Sequence, residues 1–331
     1  MTKATKPASV AMQSANSAEE QSGKPEPIKP TKGQPAGIKK TSLIQRIITG
    51  FVFVTVVLIC IFAGGMYGLL PMLLVIFAVL GVREFCRIIN PDVSKSLIVI
   101  GSVLAASMPV LTFYASAHEG NLILGDGIMR GVIPLFYVLI FGLVAYMVWV
   151  ALTPESKLRD ASVSFFAALY LGIPLSSLML IRGMGDGVEA VGMLLTMTLV
   201  VSIWATDSFA YLGGSLFGRN KIAPTISPKK SWEGLTAGTL GAILIWYLAP
   251  LIFTGSASLF TAIIMGLVVS IVSLIGDLFQ SRIKREAGVK DSGTLLPGHG
   301  GILDRIDSLL LTAPVVFLIL LTAGTNLGLL G

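Results

Sequence analysis

Charge is scarce in this sequence. Only 13% of its 331 residues are Asp, Glu, Lys or Arg, against 54% apolar, too little polar surface to clothe a soluble globule in water. Cysteine is nearly absent: Cys60 and Cys86 fall inside or at the end of apolar runs, so neither a disulfide framework nor a zinc site is expected, and both read as small apolar side chains. Short alternating polar and apolar segments are missing too, which excludes a transmembrane barrel. The net charge of +6 lacks the aromatic interleaving of a nucleic-acid surface. It comes from a basic tail and from basic loops between apolar runs, and reads as membrane topology and handling of anionic substrates.

What is abundant is long apolar runs, close to the ~20 residues a helix needs to cross the hydrocarbon of a bilayer. Residues 1–40 stand apart. They are rich in Lys, Pro, Ser, Gln and Ala without an apolar period, so they bury too little to offset chain entropy and are expected to form a disordered cytoplasmic tail. The apolar run after the tail leads straight into further runs, unlike a signal peptide. Residues 41–331 form the transmembrane domain, an all-α polytopic fold of about nine spans: about 47–64, 67–88, 96–115, 131–152, 162–181, 190–206, 234–254, 258–279 and 303–325. With the N-terminus in the cytoplasm, the inward segments hold seventeen Lys and Arg from Lys39 onward, and the outward loops hold only Arg130 and Arg182. That asymmetry follows the retention of positive charge on the cytoplasmic side and places the C-terminus outside.

Two inward loops are basic, glycine-rich and interspersed with carboxylates. The first runs from Asp207 to Gly234 and offers Asp207, Lys221, Ser227, Lys229 and Lys230 as substrate-binding candidates. The second runs from Gly276 to Asp307 and offers Asp277, Ser281, Lys284, Arg285, Lys290, Asp291, His299, Asp304, Arg305 and Asp307. Asp277 and Asp304 stand at the inner ends of two spans, where an unpaired carboxylate costs at least about 2.5 kcal/mol. Two such groups suit a hard divalent cation bound to phosphates, so both are candidate magnesium ligands; the plainer reading pairs each with Arg282 or Arg305. The cations Lys229, Lys230, Lys284, Arg285, Lys290 and Arg305 together suit a triphosphate and a phosphomonoester. Ser227-Pro-Lys-Lys-Ser231 and His299-Gly-Gly301 add hydroxyls and sterically open amides. His299, in a charged glycine-bearing loop, is a candidate base or phosphate donor, whereas His118 lies beside Glu119 in an outward loop. Gly213 to Asn220 imitates a Walker A loop but lacks its Lys and its Ser or Thr, and no strand precedes it; its glycines suit close helix packing instead. Glu84 is expected to face the bundle and support the site, and Arg182 to anchor its helix.

The second loop resembles a family signature. Ser281-Arg-Ile-Lys-Arg285, Lys290-Asp-Ser-Gly293 and Leu296-Pro-Gly-His-Gly-Gly-Ile-Leu-Asp-Arg-Ile-Asp307 match, in residue type and spacing, the phosphatidate cytidylyltransferases, or CDP-diacylglycerol synthases. The likeness extends to Gly276-Asp-Leu278, to the Asp207–Gly234 loop and to Arg46 with Gly50. It departs at Gln280, where an acidic residue is common, and at Thr206, where Asn often precedes the Asp. The resemblance implies a helical membrane enzyme, commonly dimeric, that joins CTP to phosphatidic acid. In it the carboxylates matching Asp277 and Asp304 hold magnesium, with potassium as a candidate second cation, and Lys229, Lys230, Lys284, Arg285 and Lys290 engage phosphates or nucleotide.

The implied reaction is attack by a phosphatidate oxygen on the α-phosphorus of CTP with loss of pyrophosphate, at the inner face of a bacterial plasma membrane. A CTP-dependent lipid-alcohol kinase is the competing enzyme reading, and a transporter the competing class. The acidic residues collect at inner helix ends without a clear internal repeat, which disfavours the transporter. A CDP-alcohol phosphatidyltransferase would need a D-G-x-x-A-R run, which the sequence lacks.

Overall fold

A computed structural model describes residues 43–62, 69–117, 129–153, 157–184, 189–296 and 300–323. The tail at 1–40 and His299 lie outside the described residues. Among the described residues nine helices follow in order: α1 (Leu43–Phe62), α2 (Leu69–Ile89), α3 (Lys95–Ala117), α4 (Met129–Leu152), α5 (Leu158–Arg182), α6 (Glu189–Phe217), α7 (Trp232–Thr254), α8 (Leu259–Glu286) and α9 (Leu303–Ala323). Between α6 and α7 lies an antiparallel hairpin of β1 (Lys221–Ala223) and β2 (Ser227–Ser231), pairing Lys221 with Ser231 and Ala223 with Ser227. Eight of these helices are long and apolar enough to cross a membrane; α1 carries a shorter apolar segment, Ile47–Phe62. The chain is a multi-pass, all-α membrane protein.

α5 is the axis of the bundle. Leu171, Leu175 and Ile181 on it are fully buried, and it packs against α2, α3 and α9. One polar set inside the bundle satisfies itself, as hydrocarbon favours. Ser164 Oγ on α5 donates to the Leu97 carbonyl of α3 at 2.7 Å and lies 2.7 Å from the Tyr146 hydroxyl of α4. Rings then tie the axis to the site-bearing helix: Tyr170 of α5 lies 5.7 Å from Phe85 of α2 and 5.6 Å from Phe279 of α8, centroid to centroid.

α6 and α7 form the most extensive helix pair, and small residues make it possible. A Cβ at Gly234 would stand 2.8 Å from the Ala210 carbonyl oxygen, and one at Gly238 2.8 Å from that of Thr206. Gly213 and Gly214 lie within helical α6 and face α7 in the same seam, the packing role expected of the false Walker motif.

Two helices overrun their expected spans. α6 continues past residue 206 to Phe217, and α8 past 279 to Glu286. Residues Asp207 to Phe217 and Gln280 to Glu286 are therefore helical, beyond the expected spans. Apolar periodicity ends where the lipid does, but a helix satisfies its own backbone and continues into the polar zone. α8 stops in a Schellman arrangement: Gly288 takes φ +71°, its N–H reaches the Arg285 carbonyl, and the Val289 N–H reaches that of Lys284 at 2.9 Å.

Candidate active site

The carboxylates and cations gather at one end of the bundle, where α6 and α8 finish and α7 and α9 begin. The helical overrun of α8 sets one row. Asp277, Ser281 and Lys284 recur at i, i+4 and i+7, so they share a face, and the Ser281 hydroxyl donates to Asp277 Oδ1 at 3.1 Å. Across from this row, Lys230 at the end of β2 reaches Asp277 Oδ2 at 2.6 Å. The hairpin thus serves to bring a cation from 47 residues earlier onto α8. Ser231, the next residue, caps α7 by accepting from the Gly234 N–H at 3.2 Å, which fixes β2 to a rigid element.

Asp304 is the most completely engaged group. Its Oδ1 accepts from Lys284 Nζ at 2.7 Å, and its Oδ2 from the Ser292 amide at 2.7 Å, the Ser292 hydroxyl at 2.9 Å and the Gly301 amide at 3.0 Å. The Lys284 and Asp304 side chains are only 10% and 7% exposed. Glu84 of α2 completes the network: it accepts from the Ile302 and Leu303 amides at 3.1 and 2.9 Å and from the Ser292 hydroxyl at 3.1 Å. Two carboxylates therefore satisfy amides at the start of α9, where helices leave donors without intrahelical partners. Gly301 fits between them because a Cβ there would collide with Glu84 and with Ser292 Oγ. The plainer pairing with Arg282 or Arg305 is not the one formed, since Arg282 bonds Glu286 at 2.8 Å.

Two cavities open on this cluster, and Asp207 lines both. One, about 320 Å³, is walled by the hairpin and α7 with α6 and α8, and its charged lining is Lys229, Lys230, Asp207 and Asp277, with Ser227 and Ser231 beside them. The other, about 360 Å³, has a polar end at Asp207, Asp304, Arg305 and Asp307 and an apolar body along α1, α2 and α6. Asp207 is close enough to feel Asp277, Lys230 and Arg305 electrostatically, and Asp307 to feel Asp277 and Asp207.

Hard oxygen donors near phosphate-sized cavities suit a divalent cation. Asp277 fits that chemistry, since a cation at Lys230's position would meet Oδ2 directly. Asp304 fits only when Lys284 gives way, because both of its oxygens are taken. Among the described residues no group of three or more His, Cys, Asp or Glu forms a ready-made metal cage.

A family model described as the cytidylyltransferase family matches residues 44–323. The phosphatidate cytidylyltransferase of Synechocystis is 33% identical over 292 residues, 82% of this chain and 94% of that protein. The chain belongs to the phosphatidate cytidylyltransferase family. A second member, from Rickettsia felis, is 38% identical over 200 residues, 56% of this chain and 82% of its own length. Phosphatidate cytidylyltransferase 4, chloroplastic, of Arabidopsis thaliana is 45% identical over 133 residues, which are 40% of this chain and 34% of the plant protein.

Within this cytidylyltransferase the expected site residues divide. Asp207, Ser227, Lys229, Lys230, Asp277, Asp304, Arg305 and Asp307 line the two cavities. Ser281 and Lys284 stand behind them as partners of Asp277 and Asp304. Arg285 and Lys221 turn to neighbouring carbonyls, those of Val289 at 3.0 Å and Gly218 at 3.5 Å, and line neither cavity. Lys290 and Asp291 are exposed on the loop after α8. Ser292 was not among the expected site residues, yet it joins Asp304 to Glu84. Its signal in the sequence is the run Lys290-Asp-Ser-Gly293, where a neutral serine stands beside two charged residues that suit phosphate or metal more directly.

Proposed function

We propose that this cytidylyltransferase moves the CMP unit of CTP to phosphatidic acid, giving CDP-diacylglycerol and pyrophosphate. The observation that carries the reading is the pair of cavities sharing Asp207, one lined by two lysines, two aspartates and hydroxyls, the other charged at one end and apolar beyond. The cavity beside the hairpin suits the triphosphate of CTP, whose charge Lys229 and Lys230 offset. The amphipathic cavity suits a phosphatidate, with Arg305 beside its phosphate and the chains along α1, α2 and α6. A phosphatidate oxygen attacks the α-phosphorus, a new P–O bond forms, and the bond from that phosphorus to the bridging oxygen breaks, so pyrophosphate leaves with the bridging oxygen. The nucleophile comes from the lipid, and no covalent protein intermediate is needed.

Asp207, Asp277 and Asp307 surround the place where two anionic substrates must meet, which calls for a cation. Magnesium held by Asp277, and by Asp304 once Lys284 has moved, would supply that charge and stabilise the leaving oxygen. EDTA is expected to abolish turnover and added magnesium to restore it, and exchanging potassium for sodium checks for a monovalent partner. The same reading puts the site and the N-terminus on the cytoplasmic side of a plasma or inner membrane and includes a homodimer, which crosslinking in native membranes checks.

Isotope tracing separates this reaction from a CTP-dependent lipid kinase. With CTP labelled at either the α- or the γ-phosphorus, cytidylyl transfer sends the α-label into lipid and the γ-label into pyrophosphate. A γ-label recovered in lipid would replace the proposal with the kinase.

A further inference from the structure

The apolar body of the larger cavity has a measurable depth. Its wall on α1 runs from Thr49 and Gly50 beside the charged end to Ile61, a rise of about 18 Å along the helix. That is close to the half-thickness of a bilayer's hydrocarbon core, roughly 15 Å. At the far end Ile61, Leu70 and Leu74 are 0%, 1% and 1% exposed, whereas the opposite face of α1 is open, with Phe51 at 72% and Ile59 at 54%. α1 packs chiefly on α2 and α6, so it forms a thin outer wall between this space and the lipid.

We infer that this cavity is a blind arm that seats one acyl chain of the lipid acceptor, and that Ile61, Leu70 and Leu74 form the floor that limits the chain's length. The inference rests on the reading of the lipid substrate given above. One end of the arm presents Arg305 for a phosphate, among the carboxylates of Asp207, Asp304 and Asp307 that call for a cation, and the body beyond presents apolar side chains, which is the order of groups along a metal-bound phosphatidate. Transfer of a chain from bilayer to arm gains little hydrophobic free energy, because lipid tails are as apolar as leucine. Selection therefore acts through fit. A chain longer than the arm must overpack a close-packed floor, which lowers its turnover about five- to a hundredfold, whereas a shorter one leaves a void and loses contacts.

The test uses the full-length protein in mixed micelles, with phosphatidates of two identical saturated chains from ten to eighteen carbons at fixed surface fraction. Specificity (kcat/KM) for each lipid and KM for CTP are measured for the wild type, Leu70→Ala and Leu74→Phe, with Val57→Phe as a second narrowing variant should Leu74→Phe not fold. The arm predicts a fall-off past one chain length in the wild type, moved to longer chains by Leu70→Ala and to shorter ones by the phenylalanine variants, with KM for CTP unmoved. Active proteins with the same chain-length profile would overturn the arm and leave cytidylyl transfer standing. A wild type that makes no CDP-lipid from any phosphatidate would overturn both.

Discussion

Four donors converge on Asp304, and one of them is the charged ammonium of Lys284 in a nearly closed environment. Removing the carboxylate alone strands that charge and the Ser292 and Gly301 amides, while the Ser292 hydroxyl keeps Glu84. Asp304→Ala is therefore expected to destabilise the protein by about 3–5 kcal/mol, while Asp304→Leu combined with Lys284→Met loses clearly less; unfolding titrations in detergent micelles measure both. Asp207 sits where the cavities meet, so Asp207→Asn is expected to lower kcat about a hundredfold or more, with the fold intact by circular dichroism. A variant of Asp207 with near-normal kcat would show that the substrates meet elsewhere. At this scale the sequence announced the residue types well, because a carboxylate at a helix end in a membrane has few explanations. It did not announce the partners. Lys230 with Asp277, and Glu84 with the amides of Ile302 and Leu303, are joined across 47 and more than 200 residues by folding alone.

The seam between α6 and α7 carries the cavity beside the hairpin, since Asp207 and Ala210 come from one helix and Gly234, with the capping Ser231, from the start of the other. A larger side chain at Gly238 would meet the Thr206 carbonyl oxygen, which cannot move without the helix. Gly238→Val is expected to spread the seam, raise KM for CTP and lower the thermal midpoint, whereas the same change at Gly255, where nothing lies within 4 Å but φ is +75°, acts on stability without moving KM. Spans were legible because apolar runs mark lipid contact. The ends of α6 and α8, and the hairpin at 221–231, were not, because polar residues outside the hydrocarbon carry no such signal and a three-residue strand is too short for a period.

On the scale of the whole molecule, charge and lipid define a single working end. The cations that line or flank the site belong to segments that the positive-inside rule assigns to the cytoplasm. In a protein whose Cys60 and Cys86 have been replaced by Ala, Lys290→Cys is expected to react with a membrane-impermeant maleimide in inverted vesicles and not in intact cells; the opposite pattern reverses the orientation. The central claim is that this end joins two anionic substrates. The most direct test is a product balance in liposomes containing the purified protein, CTP, phosphatidic acid and magnesium, run beside Asp277→Asn. The account predicts pyrophosphate and CDP-diacylglycerol in equal amounts, only when both substrates are present, with both products lost together in the variant. CTP turnover without CDP-diacylglycerol, or a wild-type rate in Asp277→Asn, would contradict it.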